Sequence, residues 1–142
     1  MHREIGDRWN EGKDLNNLGI AYADLGEFRK AIEYYEQDLA IAREIGDRRG
    51  EGAVLGNLGI AYSHLGETRK AIEYYGLRLT IAREIGDMRG EANALFNSSL
   101  TLHQLGEHSE AIEKAEDALQ IFEQMESPNA ERVKQKLAEW GK

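Results

Sequence analysis

The chain has 142 residues, a net charge of −8 and no cysteine, and 41% of its residues are hydrophobic. This composition suits a folded domain, and the lack of cysteine excludes disulfide bonds, thiolate zinc sites and cysteine nucleophiles. The negative charge disfavours DNA or RNA as a partner. No apolar run approaches the roughly 18 residues that a membrane span needs, and the N-terminus lacks the apolar core of a signal peptide, so a cytoplasmic protein is the default expectation.

An internal repeat of 40 residues organises the chain. Residues 7–46 and 47–86 are identical at 28 of 40 positions, whereas residues 87–126 match the second copy at 14 of 40. Periods of this size are typical of helical arrays in which neighbouring units stack on one another. We therefore predict a single domain of three repeats closed by a segment at 127–142, and we interpret residues 1–6 as the remnant of a preceding repeat in a longer array.

Each repeat predicts two helices, A and B. In the first copy, apolar or small residues follow the spacing of an amphipathic helix; they are Leu15, Leu18, Gly19 and Tyr22 in helix A, and Ala31, Ile32, Tyr35 and Leu39 in helix B. Leu-Gly-Glu follows every helix A, and a glycine there can close the helix in the left-handed conformation. Asp47 follows a B helix and can cap the next A helix with its carboxylate. The predicted helices span about 8–25, 28–45, 48–65, 68–85, 88–105 and 108–124, with errors of a few residues.

A seventh helix is predicted after Ser127, because Pro128 suits a first helical position. Val133, Leu137 and Trp140 would form its apolar face, which could cover the open end of the last repeat. Residues 107–126 carry seven acids and one base. We interpret this charge as a solvated face beside the basic end helix rather than as an acidic docking patch.

The order Leu15, Leu18, Gly19, Tyr22 and then Ala31, Tyr35 resembles the tetratricopeptide signature, and the second copy repeats it. The resemblance implies an all-α fold, a right-handed superhelical solenoid of three helix-turn-helix repeats plus a C-terminal capping helix. The usual repeat has about 34 residues, so the longer period is similar to the subclass found in kinesin light chain, spindle scaffolds and prokaryotic arrays. The third copy departs from the signature at four positions, which are Ser98, Ser99, Leu102 and Ala115.

The resemblance also implies a function. In such proteins the A helices line a concave groove that binds a peptide segment of a partner protein, so we predict a protein-interaction module, an adaptor or scaffold, with neither enzymatic activity nor a cofactor. Carried over by position, the groove residues would be Lys13, Asn16, Asn17, Ile20, Asp24, Asn57, Ile60, His64, Asn93, Phe96 and Asn97.

One column of this groove recurs in every copy, formed by Asn17, Asn57 and Asn97. An asparagine carboxamide offers both a donor and an acceptor, so it can pair with the backbone of any peptide. Two interpretations stay open. The column can recognise a ligand, as the equivalent position does in related arrays, or its amides can bond to a neighbouring helix.

The alternative function is self-association, in which the main contacts are with other copies of the chain. Trp9 lies on the first turn of the edge helix, where the second copy has Arg49. Asp38 and Arg78 occupy a position of helix B where the third copy has the small residue Ala118. Buried charges are costly unless they are paired, so these two residues would form an ion pair with each other, lie on an open surface, or contact another chain.

The remaining polar residues give little support for chemistry. His64 and His103 end successive A helices, but two imidazoles without further ligands make a weak zinc site, and we predict no metal. Ser98, Ser99 and His103 lie on one helix, with no third partner or oxyanion donor indicated. No catalytic residue is predicted.

Overall fold

The computed structural model describes residues 2–141, with the backbone alone at residues 2 and 3. Over this range the chain forms seven α-helices and no strand, in the order α1 (His2–Asp24), α2 (Phe28–Ile45), α3 (Arg48–His64), α4 (Thr68–Ile85), α5 (Met88–Gln104), α6 (His108–Gln124) and α7 (Asn129–Glu139). The predicted helix bounds agree with these to within one residue, except at the beginning of α1.

The helices stack in chain order. Helices α1 and α2 pack together, as do α3 with α4 and α5 with α6, and each B helix also contacts the A helix that follows it. Helix α3 contacts α5 directly, so the A helices lie side by side as one layer, and α7 packs on α6. This arrangement confirms the predicted all-α superhelical solenoid.

The beginning of α1 differs from the prediction. The string Glu-Ile-Gly-Asp occurs at 4–7, 44–47 and 84–87. In the two later occurrences the glycine is left-handed, with φ of 72° at Gly46 and 71° at Gly86, and ends a B helix. Residues 4–7 instead lie inside α1, where Gly6 does not take the left-handed conformation that ends a helix. The predicted start near residue 8 is therefore wrong. Met1, the first residue of the predicted remnant, lies outside the described range.

The contact between helices A and B depends on a glycine in the first two repeats. A Cβ atom added to Gly59 would lie 2.5 Å from Cε1 of Tyr75, and the same distance separates such an atom on Gly19 from Tyr35. Only a bare backbone leaves room for each ring. In the third repeat the pair becomes Ser99 and Ala115, both fully buried. The larger residue on α5 is thus offset by a smaller one on α6, which keeps the interior filled.

The turns between repeats combine a left-handed residue with a side-chain cap. Asp47 Oδ1 accepts a hydrogen bond of 2.9 Å from the Gly50 backbone N–H, which confirms the predicted cap, and Asp87 does the same to Gly90. The turn after α6 lacks a glycine, and Glu126 takes the left-handed conformation there with φ of 54°. A side chain in that region is strained relative to glycine.

The buried side chains form two clusters. The first cluster combines repeats one and two around Tyr35, Leu58 and Tyr75. The second combines repeat three with α7 and is centred on Phe122. Val133 and Leu137 of α7 are buried in it, and Trp140 packs against it, so the apolar face predicted for the seventh helix covers the last repeat. Lys142, the end of the predicted closing segment, lies outside the described residues.

Arginine–glutamate pairs bridge the helices on the outside of the stack. Arg8 bonds to Glu44 at 2.8 Å, and Arg48 makes the equivalent contact to Glu84 one repeat later. The third copy has Met88 at this position, so the ladder stops there. Exposed pairs of this kind add less than about 1 kcal/mol each.

Candidate functional site

The predicted groove residues lie along the layer of A helices, where their exposure varies. Most of them are open to solvent, namely Lys13, Asn17, Ile20, Asp24, Ile60 and His64. Asn16, Asn57, Asn93 and Asn97 are half-buried. Ile20 and Ile60 occupy equivalent positions and are 39% and 41% exposed. The layer therefore presents a strip of amides and isoleucines to solvent.

Phe96 does not belong to that strip. Its side chain is 4% exposed and belongs to the second core cluster. The guanidinium carbon of Arg132, on α7, lies 5.3 Å from the centre of the Phe96 ring. Register alone placed Phe96 on the open groove, but its burial depends on the capping helix, whose position register does not indicate.

The asparagine column divides into two kinds of residue. Asn57 Nδ2 donates to Asn16 Oδ1 at 3.0 Å, which joins α3 to α1. For Asn57 this bond supports the second interpretation of the column, in which the amides bond to a neighbouring helix. No side-chain hydrogen bond is seen for Asn17 or Asn97 among the described residues, so their carboxamides keep both donors and acceptors for another molecule.

A cavity of about 310 Å³ opens where α1, α2 and α3 meet, which we call the first junction. Its walls include three predicted groove residues, Lys13, Asn16 and Asn17, together with Trp9 and Asp38, which the sequence analysis assigned to self-association. The structure therefore places residues predicted for peptide binding and residues predicted for self-association in the same cavity. The walls that sequence reasoning missed include Gly12, Asp47, Arg49 and Gly50. Asp47 could have been predicted as part of this site, since the sequence places it directly before α3 and it recurs as Asp87 one repeat later.

Asp38 lies on the wall of this cavity with an unusual environment. Its carboxylate faces the bare backbone of Gly12, where a Cβ atom would lie 2.8 Å from Oδ1. Burial, followed by the nearby charge of Asp47, raises the pKa of Asp38 to about 6. The ammonium group of Lys13 lies over the ring of Trp9, with Nζ 4.3 Å from the ring centre.

Arg78 lies at the equivalent position one repeat later, where α3, α4 and α5 meet, which we call the second junction. Its Nη2 atom is 3.9 Å from Asp87 Oδ2. The hypothesis of an ion pair between Asp38 and Arg78 is therefore wrong, because Arg78 extends forward to the next turn rather than back to α2. Burial lowers the pKa of Arg78, and the charge of Asp87 opposes that effect.

The histidines contact separate aromatic rings. His64 stacks on Phe28 with ring centres 4.4 Å apart, and His103 stacks on Trp140 at 4.3 Å. Among the described residues no cluster of three or more potential metal ligands is found. Across the same residues no helix is both long and apolar enough to cross a membrane.

The outer face of α1 is less covered than its counterparts. Leu18 is 44% exposed, whereas Leu58, the equivalent residue of α3, is fully buried by the preceding repeat. Ile5 on α1 and Leu25, which directly follows α1, are also exposed. This face is the part of the molecule that favours the self-association hypothesis.

Comparisons with known proteins agree with this architecture. A tetratricopeptide repeat family model matches residues 14–84, and a second tetratricopeptide repeat model matches residues 92–124. No curated protein sequence matches the chain.

Solved structures share the fold at low sequence identity. The TPR domain of Arabidopsis FLU is 20% identical with a TM-score of 0.79, over 82% of this chain and 98% of that one. The apo form of RapI is 18% identical with a TM-score of 0.89, over 94% of this chain but 38% of that one. The nearly identical TPR-like repeats described for a kinesin light chain of Podosopora anserina are 20% identical with a TM-score of 0.77, over 90% of this chain and 64% of that one.

Proposed function

The chain belongs to the tetratricopeptide repeat family, whose members generally mediate protein–protein interaction, and on that premise we propose that it holds a partner protein by binding a peptide segment along the layer of A helices. The observation that carries the proposal is the first-junction cavity, which opens beside the exposed amide of Asn17. A pocket next to unpaired amides suits a peptide, because one side chain can enter the pocket while the backbone bonds to the amides.

The composition of the strip supports the same ligand class. Asn17 and Asn97 offer carboxamides for backbone pairing, and Ile20 and Ile60 offer exposed apolar area between them. A peptide could therefore bury apolar side chains while its backbone keeps its hydrogen bonds. The titratable groups of the strip do not converge on one point, so we propose an adaptor or scaffold rather than an enzyme.

The proposal is tested by selecting peptides from a random displayed library and measuring their affinity by fluorescence anisotropy. Replacing Asn17 and Asn97 together by alanine should weaken binding roughly tenfold or more, because each lost amide pair costs about 1 kcal/mol. Asn129→Ala, at an exposed asparagine that begins α7, is the matched control. Asn57→Ala is measured separately, since Asn57 already bonds to Asn16. If the selected peptides bind the Asn17/Asn97 variant as tightly as the parent chain, the groove assignment is wrong.

Self-association through the outer face of α1 is the second candidate, and the exposure of Leu18 favours it. Light scattering over a wide concentration range measures it directly. Leu18→Glu should abolish any concentration-dependent increase in mass while leaving peptide binding intact. A parent chain that stays monomeric at high concentration contradicts this candidate.

A further inference from the structure

Three junctions in the molecule share one geometry but are filled by different side chains. Each lies between an A helix, its B helix and the next helix along the chain. The equivalent B-helix residues are Asp38 at the first junction, Arg78 at the second and Ala118 at the third, the last where α5, α6 and α7 meet. Because repeats one and two are identical at 28 of 40 positions, the second junction serves as an internal reference for the first.

At the second junction the Arg78 side chain fills the space. Its Cδ and Nε atoms lie against the bare backbone of Gly56, and its Nη1 atom lies against Gly52. The guanidinium then reaches the start of α5, where Nη2 is 3.9 Å from Asp87 Oδ2 and close to Gly90. The other oxygen of Asp87 accepts from the Gly90 N–H, so one carboxylate both caps a helix and faces a guanidinium.

The first junction repeats this frame without the arginine. Asp47 caps α3 through Gly50 just as Asp87 caps α5, and Gly12 leaves the same bare backbone as Gly52. Asp38 is too short to fill the space, and a cavity of about 310 Å³ takes its place. Two carboxylates, Asp38 and Asp47, therefore line a space whose equivalent one repeat later is occupied by a guanidinium.

We propose that the first-junction cavity binds the guanidinium group of an arginine side chain supplied by a partner's peptide segment. This inference rests on the proposed function and names the side chain that the peptide would insert. A planar guanidinium can pair with two carboxylates at once and stack on an aromatic ring, and Trp9 supplies that ring on the open side of the cavity.

The third junction also carries a guanidinium on an aromatic ring. There Phe96 fills the interior, and Arg132 of α7 lies over its ring at 5.3 Å. A guanidinium therefore occurs at the second and third junctions, from the same chain in both cases. At the first junction Lys13 covers the Trp9 ring, and this lysine can move into solvent when an arginine enters, since its own side chain is exposed.

Selectivity for arginine over lysine at this cavity depends on the shape of the cationic group rather than on the net charge of the cavity. The charged groups that line it are Lys13 from α1, Asp38 from α2, and Asp47 and Arg49 at the start of α3, which balance each other. A lysine ammonium would gain a point-charge attraction to Asp38 but would lose the fork and the stacking contact. Because Asp38 has a pKa of about 6 and a bound cation favours its ionised form, arginine binding should strengthen as the pH rises from 5 to 7.

The test uses two capped tripeptides, acetyl-Gly-Arg-Gly-amide and its citrulline analogue, which has the same shape without the charge. Each is titrated into the full chain and followed by amide NMR. The arginine peptide should shift the amides of Gly12 and Gly50 and the indole N–H of Trp9. The citrulline peptide should bind at least about tenfold more weakly, as should the arginine peptide to Asp38→Asn. Asp14→Asn, an exposed carboxylate on α1 outside the cavity, is the charge-matched control.

A second variant keeps the proposal testable if Asp38→Asn alters the fold. Combining Asp38→Arg with Asn16→Gly converts the first junction into a copy of the second, so an internal arginine should fill the cavity. This variant should keep full helix content by circular dichroism and lose peptide binding. Equal affinity of the two tripeptides, no binding of either, unchanged binding to Asp38→Asn, or shifts confined to other residues would overturn the proposal.

The peptide library separates this inference from the proposed function. If the selected peptides lack arginine and are insensitive to Asp38→Asn, but bind the Asn17/Asn97 variant weakly, the groove stands and the arginine pocket fails. If no peptide is selected and the chain forms dimers, the groove function fails as well.

Discussion

In repeats one and two a tyrosine ring lies on a bare glycine backbone, whereas in repeat three the equivalent positions hold Ser99 and the small residue Ala115. All of these residues are buried in repeats whose A helix packs against its B helix. The packing of an A helix on its B helix therefore requires a total side-chain volume and not a particular residue type. The difference also divides the molecule, because the tyrosines join repeats one and two into one cluster while repeat three depends on α7.

The largest test of that division is removal of residues 127–142. This truncation uncovers Phe122 and deletes Val133 and Leu137 from the second cluster. We expect a loss of roughly 3 kcal/mol or more, from the removal of two buried aliphatic side chains. Hydrogen exchange should show that α5 and α6 lose protection while α3 and α4 keep it. An unchanged melting temperature would show that α7 is not a cap, and Leu137→Ala provides a milder control.

A second test adds a methyl group to the glycine–tyrosine contact and compares it with a change at the equivalent position of repeat three. Gly59→Ala places a Cβ atom 2.5 Å from the Tyr75 ring, and Tyr75 is too buried to move aside. Overpacking should cost more than the roughly 1 kcal/mol that alanine gains over glycine in a helix, for a net loss of about 2 kcal/mol. Ser99→Ala is the comparison in repeat three. It removes a hydroxyl that donates to the Phe96 carbonyl at 2.6 Å without adding volume, and should cost no more than about 1 kcal/mol. Equal effects in chemical denaturation would contradict the comparison.

A third test concerns the turns. Repeats one and two end in a left-handed glycine, whereas repeat three ends in Glu126 with φ of 54°. Glu126→Gly should therefore stabilise the chain by up to about 1 kcal/mol. The reverse change, Gly46→Ala, should destabilise it by a similar amount. Urea unfolding measures both, and a destabilising Glu126→Gly would mean that this side chain makes a contact that outweighs the strain.

The smallest effect is expected at Asp38, where repeat three has the buried alanine Ala118. The folded chain disfavours ionised Asp38, whose pKa rises from 3.8 to about 6. Folded stability from this group is therefore lost as the pH rises through this interval. Asp38→Asn should raise stability at pH 8 by roughly 0.5 kcal/mol after allowance for solvent screening, and the gain should vanish below pH 4. Thermal melts at both pH values check this, and a gain independent of pH would exclude the electrostatic cause.

Local signals in the sequence predicted most of the fold. The bounds of α2 to α6, the capping role of Asp47 and the left-handed glycine of each Leu-Gly-Glu turn depend on neighbours a few residues away. The start of α1 was missed because Glu-Ile-Gly-Asp ends a B helix at 44–47 and 84–87 but lies inside a helix at 4–7. Local propensity cannot distinguish the two cases.

The candidate site was less predictable, since it depends on contacts between repeats. Register placed Phe96 on the groove, but α7 covers it. An ion pair between Asp38 and Arg78 was one of three interpretations that their positions left open, but the long arginine side chain extends forward to Asp87 instead. The cavity itself exists because Asp38 is too short to fill the space at the first junction. A single sequence contains no pattern that predicts such an empty volume.

The turn formed by Gly46 and Asp47 has a consequence for the growth of the array. It ends one unit and begins the next within two residues, and the same contacts recur at Gly86 and Asp87. A duplicated segment 47–86 could therefore be spliced after residue 86 without a new linker, since both of its ends already match. Such a chain would gain 40 residues and one further junction filled by arginine, while the first-junction cavity would remain near its start. Gene duplication would thus lengthen the molecule without multiplying its pocket.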